Sequence, residues 1–299
     1  MAFVWNHQIL DSFVMAEEII HQWKKSKEGG FLVKLDFEKA HDSLYHNFLD
    51  DTIRDMGFGE KWRQWIRNCI SSPSLSVLVN GSFSRQFKIQ RGLRQRDPLS
   101  PFLFNVAVEG LSALFKKAEE ANLMKGVIFG KDEVHVSYLQ FADDTILFLQ
   151  PNIDHLVSFR RVLRCFKLAS GLRINFQKSF VVEVGKNREG KENWAGSFRC
   201  TKATLPITYL GLKLVGCPGS KIFWTEVLQR LENHLAPWKK SFLNKSGRLV
   251  LIKVVMSSIP IYFMSMFKIP VGIAIRVESL QRSFFFGDGG EKRRIHAVK

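Results

Sequence analysis

Three aspartates carry the clearest chemical signal in this sequence. Asp36 follows a short apolar run, and Asp143 and Asp144 stand side by side about a hundred positions later. Carboxylate oxygens are the ligands that Mg²⁺ prefers, and three of them can serve two metal ions at a phosphate undergoing in-line displacement. Spacing alone leaves the alternative open, because an Asp-Asp pair in a turn is more often a solvated loop.

The elements around these aspartates decide where the carboxylates point. Residues 31–37 have the composition of a strand, whose alternation puts Phe31, Val33 and Leu35 on one face and Asp36, Lys34 and Leu32 on the other. Residues 134–141 and 145–149 are two further β-type runs, separated only by Ala-Asp-Asp. The sequence therefore predicts a tight hairpin with two adjacent carboxylates at its tip.

Two more elements are predicted from local signals. Asn80-Gly81 between apolar runs is the signature of a type I′ hairpin turn. Ser100 followed by Pro101 is typical of a helix N-cap and first turn, with Leu99 and Phe104 placed as a hydrophobic staple, so residues 102–120 are predicted to be helical.

Composition limits the class of protein. The chain has 299 residues, 45% of them hydrophobic, which is enough to bury a core. A net charge of +16 attracts polyanions, so nucleic acid is the first partner to consider. The four cysteines form no C-x-x-C pair, so neither a disulfide framework nor secretion is indicated. The spacing of His41 and His46 is poor for two ligands of one metal, so a zinc site is not indicated either.

The apolar residues 249–267 are interrupted by Lys253 and Pro260, which favours a buried helix pair over a membrane span. The first residues lack the basic flank and long apolar core of a signal peptide. The sequence thus predicts an intracellular protein, in the nucleus or cytoplasm, without a membrane partner; protein partners are not indicated.

Three long motifs resemble those of one enzyme family, in the family's order. The segment from Phe31 reads F-L-V-K-L-D-F-E-K-A-H-D-S, that from Gln90 reads Q-R-G-L-R-Q-R-D-P-L-S-P, and that from Tyr138 reads Y-L-Q-F-A-D-D-T. They resemble the motifs of reverse transcriptases from plant LINE-type (non-LTR) retrotransposons. Shorter matches, G-L-R-I-N-F-Q-K-S from Gly171 and Y-L-G-L from Tyr209, extend the resemblance over nearly the whole chain, which would then be a truncated fragment.

The resemblance implies roles for individual residues. Asp36, Asp143 and Asp144 would be the metal-binding and catalytic carboxylates, and Lys178 would help to protonate the leaving pyrophosphate. The incoming nucleotide would be surrounded by Phe37, His41, Gly92, Gln95 and Arg96. Primer and template would be held by Tyr209, Leu210 and Gly211 and by the basic residues Lys239, Lys240, Lys245, Arg248 and Lys253, for which a solvated basic face is the alternative.

The implied fold is α+β: a right-hand polymerase palm, an antiparallel sheet with packed helices, with partial fingers and then a helical thumb-like region. We expect the reverse transcriptase domain in residues 1–215 and the thumb-like or connection region in residues 216–299. The implied activity is RNA-directed DNA polymerisation, which joins a dNTP to a primer 3′-hydroxyl on an RNA template. Two Mg²⁺ ions are expected as cofactors, with Mn²⁺ as a substitute. A nuclease would also use carboxylates, but no separate endonuclease motif is present.

The sequence departs from the family at two positions of the nucleotide site. His41 replaces the usual tyrosine that excludes ribonucleotides, and Arg96 replaces a glycine whose missing Cβ permits an unusual backbone angle. A second function therefore stays open beside the polymerase: a nucleic-acid-binding remnant with weak or no catalysis.

Overall fold

A computed structural model describes residues 8–25, 29–130, 133–185, 200–239 and 243–287. The chain divides into two compact units, Met1–Leu210 and Gly211–Lys299. The first unit contains the elements that carry the predicted carboxylates. The second is built mainly of helices in the part that the structure describes.

Strands of the first unit are short, as expected for an α+β domain in which helices supply much of the core. In chain order they are β1 (Gly30–Leu35), β2 (Phe37–Glu38), β3 (Ser74–Leu75), β4 (Leu78–Val79), β5 (Ser82–Phe83), β6 (Phe87–Lys88), β7 (Val127–Phe129), β8 (Val134–Val136), β9 (Tyr138–Phe141), β10 (Asp144–Leu149), β11 (Arg173–Ile174), β12 (Phe180–Val184), β13 (Thr201–Ala203) and β14 (Ile207–Tyr209). The helices are α1 (Ile9–Lys25), α2 (Ala40–Ser43), α3 (His46–Asp55), α4 (Glu60–Ser71), α5 (Ser100–Glu120) and α6 (Ile153–Ser170).

The central sheet has the strand order β13-β12-β1-β10-β9. All of its pairs are antiparallel except β12 with β13, which is parallel. The predicted α+β class and palm-type sheet are confirmed, with β13 as a parallel edge strand that the sequence motifs did not indicate. Strand β1 lies at the centre because its residues are apolar on both faces along most of its length.

Helices cover the two faces of this sheet unequally. Val33, Leu35 and Leu147 belong to one buried cluster with Phe115 of α5 and Phe159 of α6, so these helices pack on the face that carries the odd-numbered residues of β1. On the opposite face Trp23 of α1 packs edge-on against Phe148, at 5.8 Å between ring centres. Trp23 also fills the space beside Gly30, at the start of β1, so this contact lies at the end of β1 remote from Asp36.

The start of α5 differs by one residue from the prediction. Ser100 is the first helical residue and Leu99 is the N-cap, without a side-chain cap, so the assignment of Ser100 as N-cap was wrong. Asp97 takes over the local capping, because its carboxylate accepts a hydrogen bond from the Leu99 N–H at 2.9 Å. Pro101 lies in the first turn, as predicted, and needs no hydrogen-bond acceptor there.

Both predicted hairpins are present, with one correction. Asn80 and Gly81 have φ values of 49° and 83°, as a type I′ turn requires, and they join β4 to β5. The predicted continuous run 134–141 is instead divided at Ser137 into β8, which pairs with β7, and β9, which pairs with β10. The cause is the preceding strand β7, which forms a hairpin with the first half of the run, whereas the second half pairs with β10.

The second unit contains β15 (Leu212–Leu214), α7 (Lys221–Lys239), α8 (Lys245–Leu251), a π-helical turn (Ile252–Met256), α9 (Ser258–Met264) and α10 (Val271–Phe286). The predicted buried helix pair in residues 249–267 was wrong. Lys245–Met264 is one helical stretch, with the π-helical turn before Pro260; it is long and apolar enough to span a membrane by length and composition, and 17% of its most apolar window is buried.

Candidate active site

Asp36 and Asp144 are the residues that flank the last pair of β1 and β10 at one end of the central sheet. Strands β1 and β10 pair antiparallel, with Leu35 opposite Thr145 as the last pair. Continuing this register by one residue sets Asp36 opposite Asp144, and directly opposed residues have Cα atoms about 4.5–5.5 Å apart and side chains on the same face. That face is the one not covered by α5 and α6, so both carboxylates can reach a substrate outside the core.

A lysine that shares this face already neutralises part of the negative charge. Lys34 precedes Asp36 by two residues, and its Nζ lies 3.2 Å from Oδ1 of Asp144. The same ammonium group donates a hydrogen bond to the carbonyl oxygen of Thr208 at 3.2 Å. Lys34 therefore ties the carboxylate end of the sheet to strand β14.

The hairpin tip is a two-residue turn rather than the predicted three. Phe141 pairs with Asp144, so Ala142 and Asp143 form the turn, and Asp144 is the first residue of β10. Ala142 has φ 54°, which costs an L-residue about 1–2 kcal/mol. Gln140 supports the turn, because its side-chain amide donates a hydrogen bond to the Ala142 carbonyl at 3.1 Å. The strained residue, Ala142, therefore lies in the turn directly before Asp143.

The arrangement fits a divalent metal only in part. Asp36 and Asp144 supply oxygen donors from adjacent strands, which is the donor chemistry that Mg²⁺ requires. Within the described part of the chain, however, no group of three or more Asp, Glu, His and Cys side chains has the geometry to hold a metal ion. The predicted convergence of three carboxylates into a metal group is therefore not seen: Asp143 lies in the adjoining turn, and Lys34 contacts Asp144 instead.

The turn that contains Lys178 is fastened to the backbone of Asp36. The Asn175 N–H donates to the Asp36 carbonyl at 2.8 Å, and the Asp36 N–H donates to Oγ of Ser179 at 3.0 Å. The Ser179 hydroxyl in turn donates to the Asn175 carbonyl at 2.8 Å. Lys178 is exposed within this turn, so its backbone lies beside the carboxylate end of β1 while its role as a proton donor stays a prediction.

The loop with the second motif docks on α2. The Gly92 N–H donates to the Leu44 carbonyl at 2.7 Å, and the Leu93 N–H donates to the His41 carbonyl at 2.5 Å. Gln95 donates a side-chain hydrogen bond to Asp42 at 3.2 Å. The structure thus brings together Gly92, Gln95 and His41, three of the residues predicted for the nucleotide pocket.

Aromatic contacts complete this cluster. The rings of Phe37 and His41 both pack against Phe104 of α5, at centroid distances of 6.3 and 5.2 Å. Nδ1 of His41 is buried and has no hydrogen-bond partner among the described residues. A buried polar atom without a partner costs free energy, so His41 is the member of the cluster best placed to gain a hydrogen bond from a ligand or a water molecule.

Arg96 adopts the backbone conformation that its glycine counterpart would favour. Its φ is 64°, in the left-handed region where a Cβ is strained and glycine is not. The side chain is exposed, and the neighbouring residues Arg94 and Asp97 form an ion pair across it. The hypothesis that this position needs an unusual backbone angle is supported by the geometry.

The residues predicted for primer contact differ in accessibility. Tyr209 is fully buried, so its ring lies in the core, whereas Leu210 and Gly211 follow it with φ values of 49° and 77°. Leu210 is also buried, with 8% of its surface exposed, and Gly211 is half-buried. Their role in holding the primer stays a prediction.

The predicted thumb cations fall into three groups. Lys245 and Lys253 are exposed, as a phosphate contact requires. Arg248 is engaged within its own unit, because its guanidinium donates to the carbonyl oxygens of Leu243 and Phe284, each at 3.2 Å. Lys239 ends α7, and Lys240 lies outside the described residues.

Burial also affects the strand that leads into the hairpin. Tyr138 begins β9 and packs against Phe115. Burial raises the pKa of the Tyr138 phenol, while a hydrogen bond with Ser112 lowers it in part. The phenol is therefore neutral over the physiological range and serves the packing of the hairpin.

A family model described as "Reverse transcriptase (RNA-dependent DNA polymerase)" matches residues 1–214, more than half of the chain. The chain belongs to the reverse transcriptase family. The resemblance predicted from the three motifs is confirmed by this match, and the central sheet with its packed helices is the family's palm. The assignment to plant elements in particular stays a prediction.

Two relatives of this chain are described as proteins of transposable elements. It is 28% identical over 174 residues to the "Transposon TX1 uncharacterized 149 kDa protein" of Xenopus laevis, covering 57% of the chain and 13% of the relative. It is 26% identical over 174 residues to the "Retrovirus-related Pol polyprotein from type-2 retrotransposable element R2DM" of Drosophila melanogaster, covering 58% and 16%. The chain thus spans less than a fifth of the length of either relative.

Among solved structures, a telomerase from Candida tropicalis in complex with a fragment of telomeric RNA is 14% identical. The match covers 93% of this chain and 46% of that chain, with a TM-score of 0.49.

Two residues of the site were not singled out from the sequence. Alternation already placed Lys34 on the face of Asp36, but the sequence did not indicate its ion pair with Asp144. Ser179 could not be found from the sequence, since its hydroxyl reaches Asp36 across 143 positions of sequence and only the pairing of β1 with β12 brings the two together.

Proposed function

We propose that this chain is the polymerase fragment of a non-LTR retrotransposon reverse transcriptase, which extends a DNA primer with dNTPs on an RNA template. The observation that carries the proposal is the register of β1 and β10, whose last pair is Leu35 with Thr145; continued by one residue, it sets Asp36 opposite Asp144 on the face of the sheet that α5 and α6 do not cover. The family match supports the same reaction. The same proposal places the protein in the nucleus or cytoplasm, where RNA and dNTPs are present.

Asp36, Asp143 and Asp144 are the residues that would hold divalent metal, with Mg²⁺ expected and Mn²⁺ as a substitute. Bound metal would lower the pKa of the primer 3′-hydroxyl and neutralise charge on the leaving pyrophosphate. The chain's own groups would position the reactants: the loop of Gly92 and Gln95, fastened to α2, would form one wall of the nucleotide pocket.

His41 would lie beside the sugar in this proposal. The imidazole packs on Phe104, and its unpartnered Nδ1 offers a hydrogen bond that a tyrosine ring face does not. Because imidazole is also smaller than phenol, we expect weaker rejection of ribonucleotides than in enzymes with tyrosine at this position. Lys178, in the turn fastened to Asp36, is the proposed donor of a proton to pyrophosphate.

A specific observation favours a second candidate function, nucleic-acid binding with weak catalysis. Arg96 places a long cationic side chain on a strained residue of the nucleotide loop, where glycine would leave the approach open. In that case binding of primer and template would be retained while dNTP incorporation would be slow.

The experiment is primer extension on poly(rA)/oligo(dT) with the purified chain and its Asp144→Asn variant. We expect the Asp144→Asn substitution to abolish incorporation, since the amide removes a charge needed at the reaction centre. Asp55→Asn is the matched control, because this aspartate is exposed on α3 and lies outside the three motifs.

Equal incorporation by the unaltered chain and its Asp144→Asn variant would refute the active-site assignment. Incorporation that is absent in the unaltered chain but appears with Arg96→Gly would support the second candidate for the chain as it stands.

A further inference from the structure

A basic groove runs along α6 on the side of the palm sheet opposite to the carboxylates. It has a volume of about 560 Å³ and is lined by four cations of α6, Arg160, Arg161, Arg164 and Lys167, together with apolar side chains. One of these, Leu163, belongs to the cluster that packs on the odd-numbered face of β1, whereas the two opposed carboxylates lie on the other face. A ligand in this groove is therefore separate from a ligand at the proposed active site.

The charge of the groove is of one sign. Arg160, Arg164 and Lys167 follow one another at i, i+4 and i+7, so they share one face of the helix. None of the lining residues is acidic, and the acidic residue of α6 lies in its first turn. Arg161, Arg164 and Lys167 form no ion pair with any described residue, so their charges are available to an anionic ligand.

The floor of the groove is apolar. Ile174 and Leu163 are buried, and Phe176 and Val157, which also line the groove, are half-buried. Cations that flank an aromatic and aliphatic floor can take the phosphates and a base of one unpaired nucleotide segment together, because bases stack on aromatic rings and guanidinium planes. A simple inorganic anion would leave this floor unused.

The length of the basic row fits a short stretch of nucleic-acid backbone. Seven residues of helix cover about 10.5 Å at about 1.5 Å per residue. Three of the four groove cations form no ion pair with a described residue, so the groove can contact about three phosphates of an unpaired strand.

We infer that this groove is a second nucleic-acid site, which binds an unpaired segment of the RNA outside the polymerase cleft. That the nucleic acid is RNA rests on the proposed function; the groove itself rests on the cations and the apolar floor of α6. With such a site, a reverse transcriptase could bind a long RNA template at a place where the RNA does not compete with the primer for the carboxylates.

The test measures binding of an unstructured, fluorescent RNA of about 12 nucleotides in EDTA and without dNTP, between about 50 and 200 mM KCl. One triple variant removes the free groove cations, Arg161→Gln, Arg164→Gln and Lys167→Gln. The control triple variant removes the same charge from exposed lysines that do not line the groove, Lys24→Gln, Lys25→Gln and Lys116→Gln. Arg160 is left in place because it lies beside Cys200.

Each phosphate contact with a single strand contributes about 0.7 to the slope of log K against log salt, so three contacts contribute about 2. We expect the slope for the groove variant to be smaller by about 2. The fourfold rise in salt should therefore weaken RNA binding by this variant about 20-fold less than it weakens binding by the unaltered chain. The control variant should lose less than half as much. Equal losses in the two variants would mean that only net charge matters, and the inference would be overturned.

A second measurement locates the RNA. RNA that contains 5-iodouridine should cross-link on irradiation to the peptide of Phe176, and this cross-link should disappear in the groove variant. Cross-links confined to other peptides, or displacement by polyglutamate of equal charge as effectively as by RNA, would overturn the inference. Because the binding assay needs neither metal nor catalysis, a chain that fails in primer extension but shows groove binding would refute the proposed function alone.

Discussion

Gly92 is the residue of the loop docked on α2 at which a small change should have the largest effect. It is buried with φ 84°, and a Cβ added there would lie 2.7 Å from the Asp42 carbonyl oxygen and 2.8 Å from that of His41. These are backbone atoms of α2, which cannot rotate away as a side chain would. Gly92→Ala should therefore strain the loop and push it from α2.

The magnitude has two parts. The positive φ costs an alanine about 1–2 kcal/mol, and overpacking against a fixed backbone costs about 1–3 kcal/mol. The lower chain entropy of alanine in the unfolded state returns about 0.4–1 kcal/mol. We expect the free energy of unfolding to fall by about 2–4 kcal/mol, with loss of the Gly92 and Leu93 hydrogen bonds to Leu44 and His41.

Gly81→Ala is the matched control. Gly81 has nearly the same φ, 83°, but a Cβ there would meet nothing within 4 Å. The two variants share the cost of the backbone angle, so their difference isolates the steric contribution of about 1–3 kcal/mol. The measurement is urea unfolding together with hydrogen exchange of the segment around each glycine, because an exposed hairpin can open without global unfolding.

If Gly92→Ala and Gly81→Ala lower the free energy of local opening by the same amount, within about 0.5 kcal/mol, the reasoning is refuted. That result would show that the backbone of α2 moves aside without a cost in free energy. The polymerase proposal adds a second readout for Gly92→Ala. If the loop forms one wall of the nucleotide pocket as proposed, its displacement should raise the KM for dNTP more than it lowers kcat, because the loop would bind the nucleotide without taking part in the reaction.

Three further outcomes follow from individual contacts. Arg96→Gly should stabilise the chain by about 0.5–1 kcal/mol, since release of a strain of about 1–2 kcal/mol exceeds the entropy cost of glycine; an unchanged or lower urea midpoint would contradict this. Asp50→Asn should cost about 2–3 kcal/mol, because Asp50 accepts hydrogen bonds from Arg63 at 3.1 Å and Arg67 at 2.9 Å. The Arg63 hydrogen bond holds the pKa of Asp50 below its ordinary value, so this stabilisation is present above about pH 4 and is lost as the pH falls; the difference between variant and unaltered chain should shrink in acid urea titrations. Burial raises the pKa of the Cys200 thiol to about 12, so at about pH 8 iodoacetamide should label the other three cysteines, all exposed, and spare Cys200 until urea is added; native labelling of all four would show that the thiol is accessible.

Local signals in the sequence were enough for several parts of the fold. The Asn80-Gly81 turn followed from the positive φ that only a few residues tolerate, and the face of β1 that carries Asp36 followed from strict alternation. The family assignment followed from three motifs in order. Each of these depends on neighbours within a few positions, where residue type directly restricts conformation.

Errors arose where partners outside the segment itself decide. The strand predicted for residues 134–141 is divided because β7 pairs with only half of it, and the predicted buried helix pair is a largely exposed helical stretch because few apolar partners in the described chain cover Lys245–Met264. Hydropathy reports that a segment prefers burial, but only packing provides the surface against which it is buried.

By itself the sequence determined the family, the identity of the three aspartates and the strand face on which Asp36 lies. Only the tertiary structure decided which carboxylate stands opposite Asp36, since the register of β1 and β10 is set by pairing across more than a hundred residues. It likewise decided that Lys34 contacts Asp144, that Ser179 supports Asp36, and that the cations of α6 face a groove. The physical reason is the same in each case: side-chain contacts between distant residues depend on strand register and helix rotation, and neither is specified by residue spacing alone.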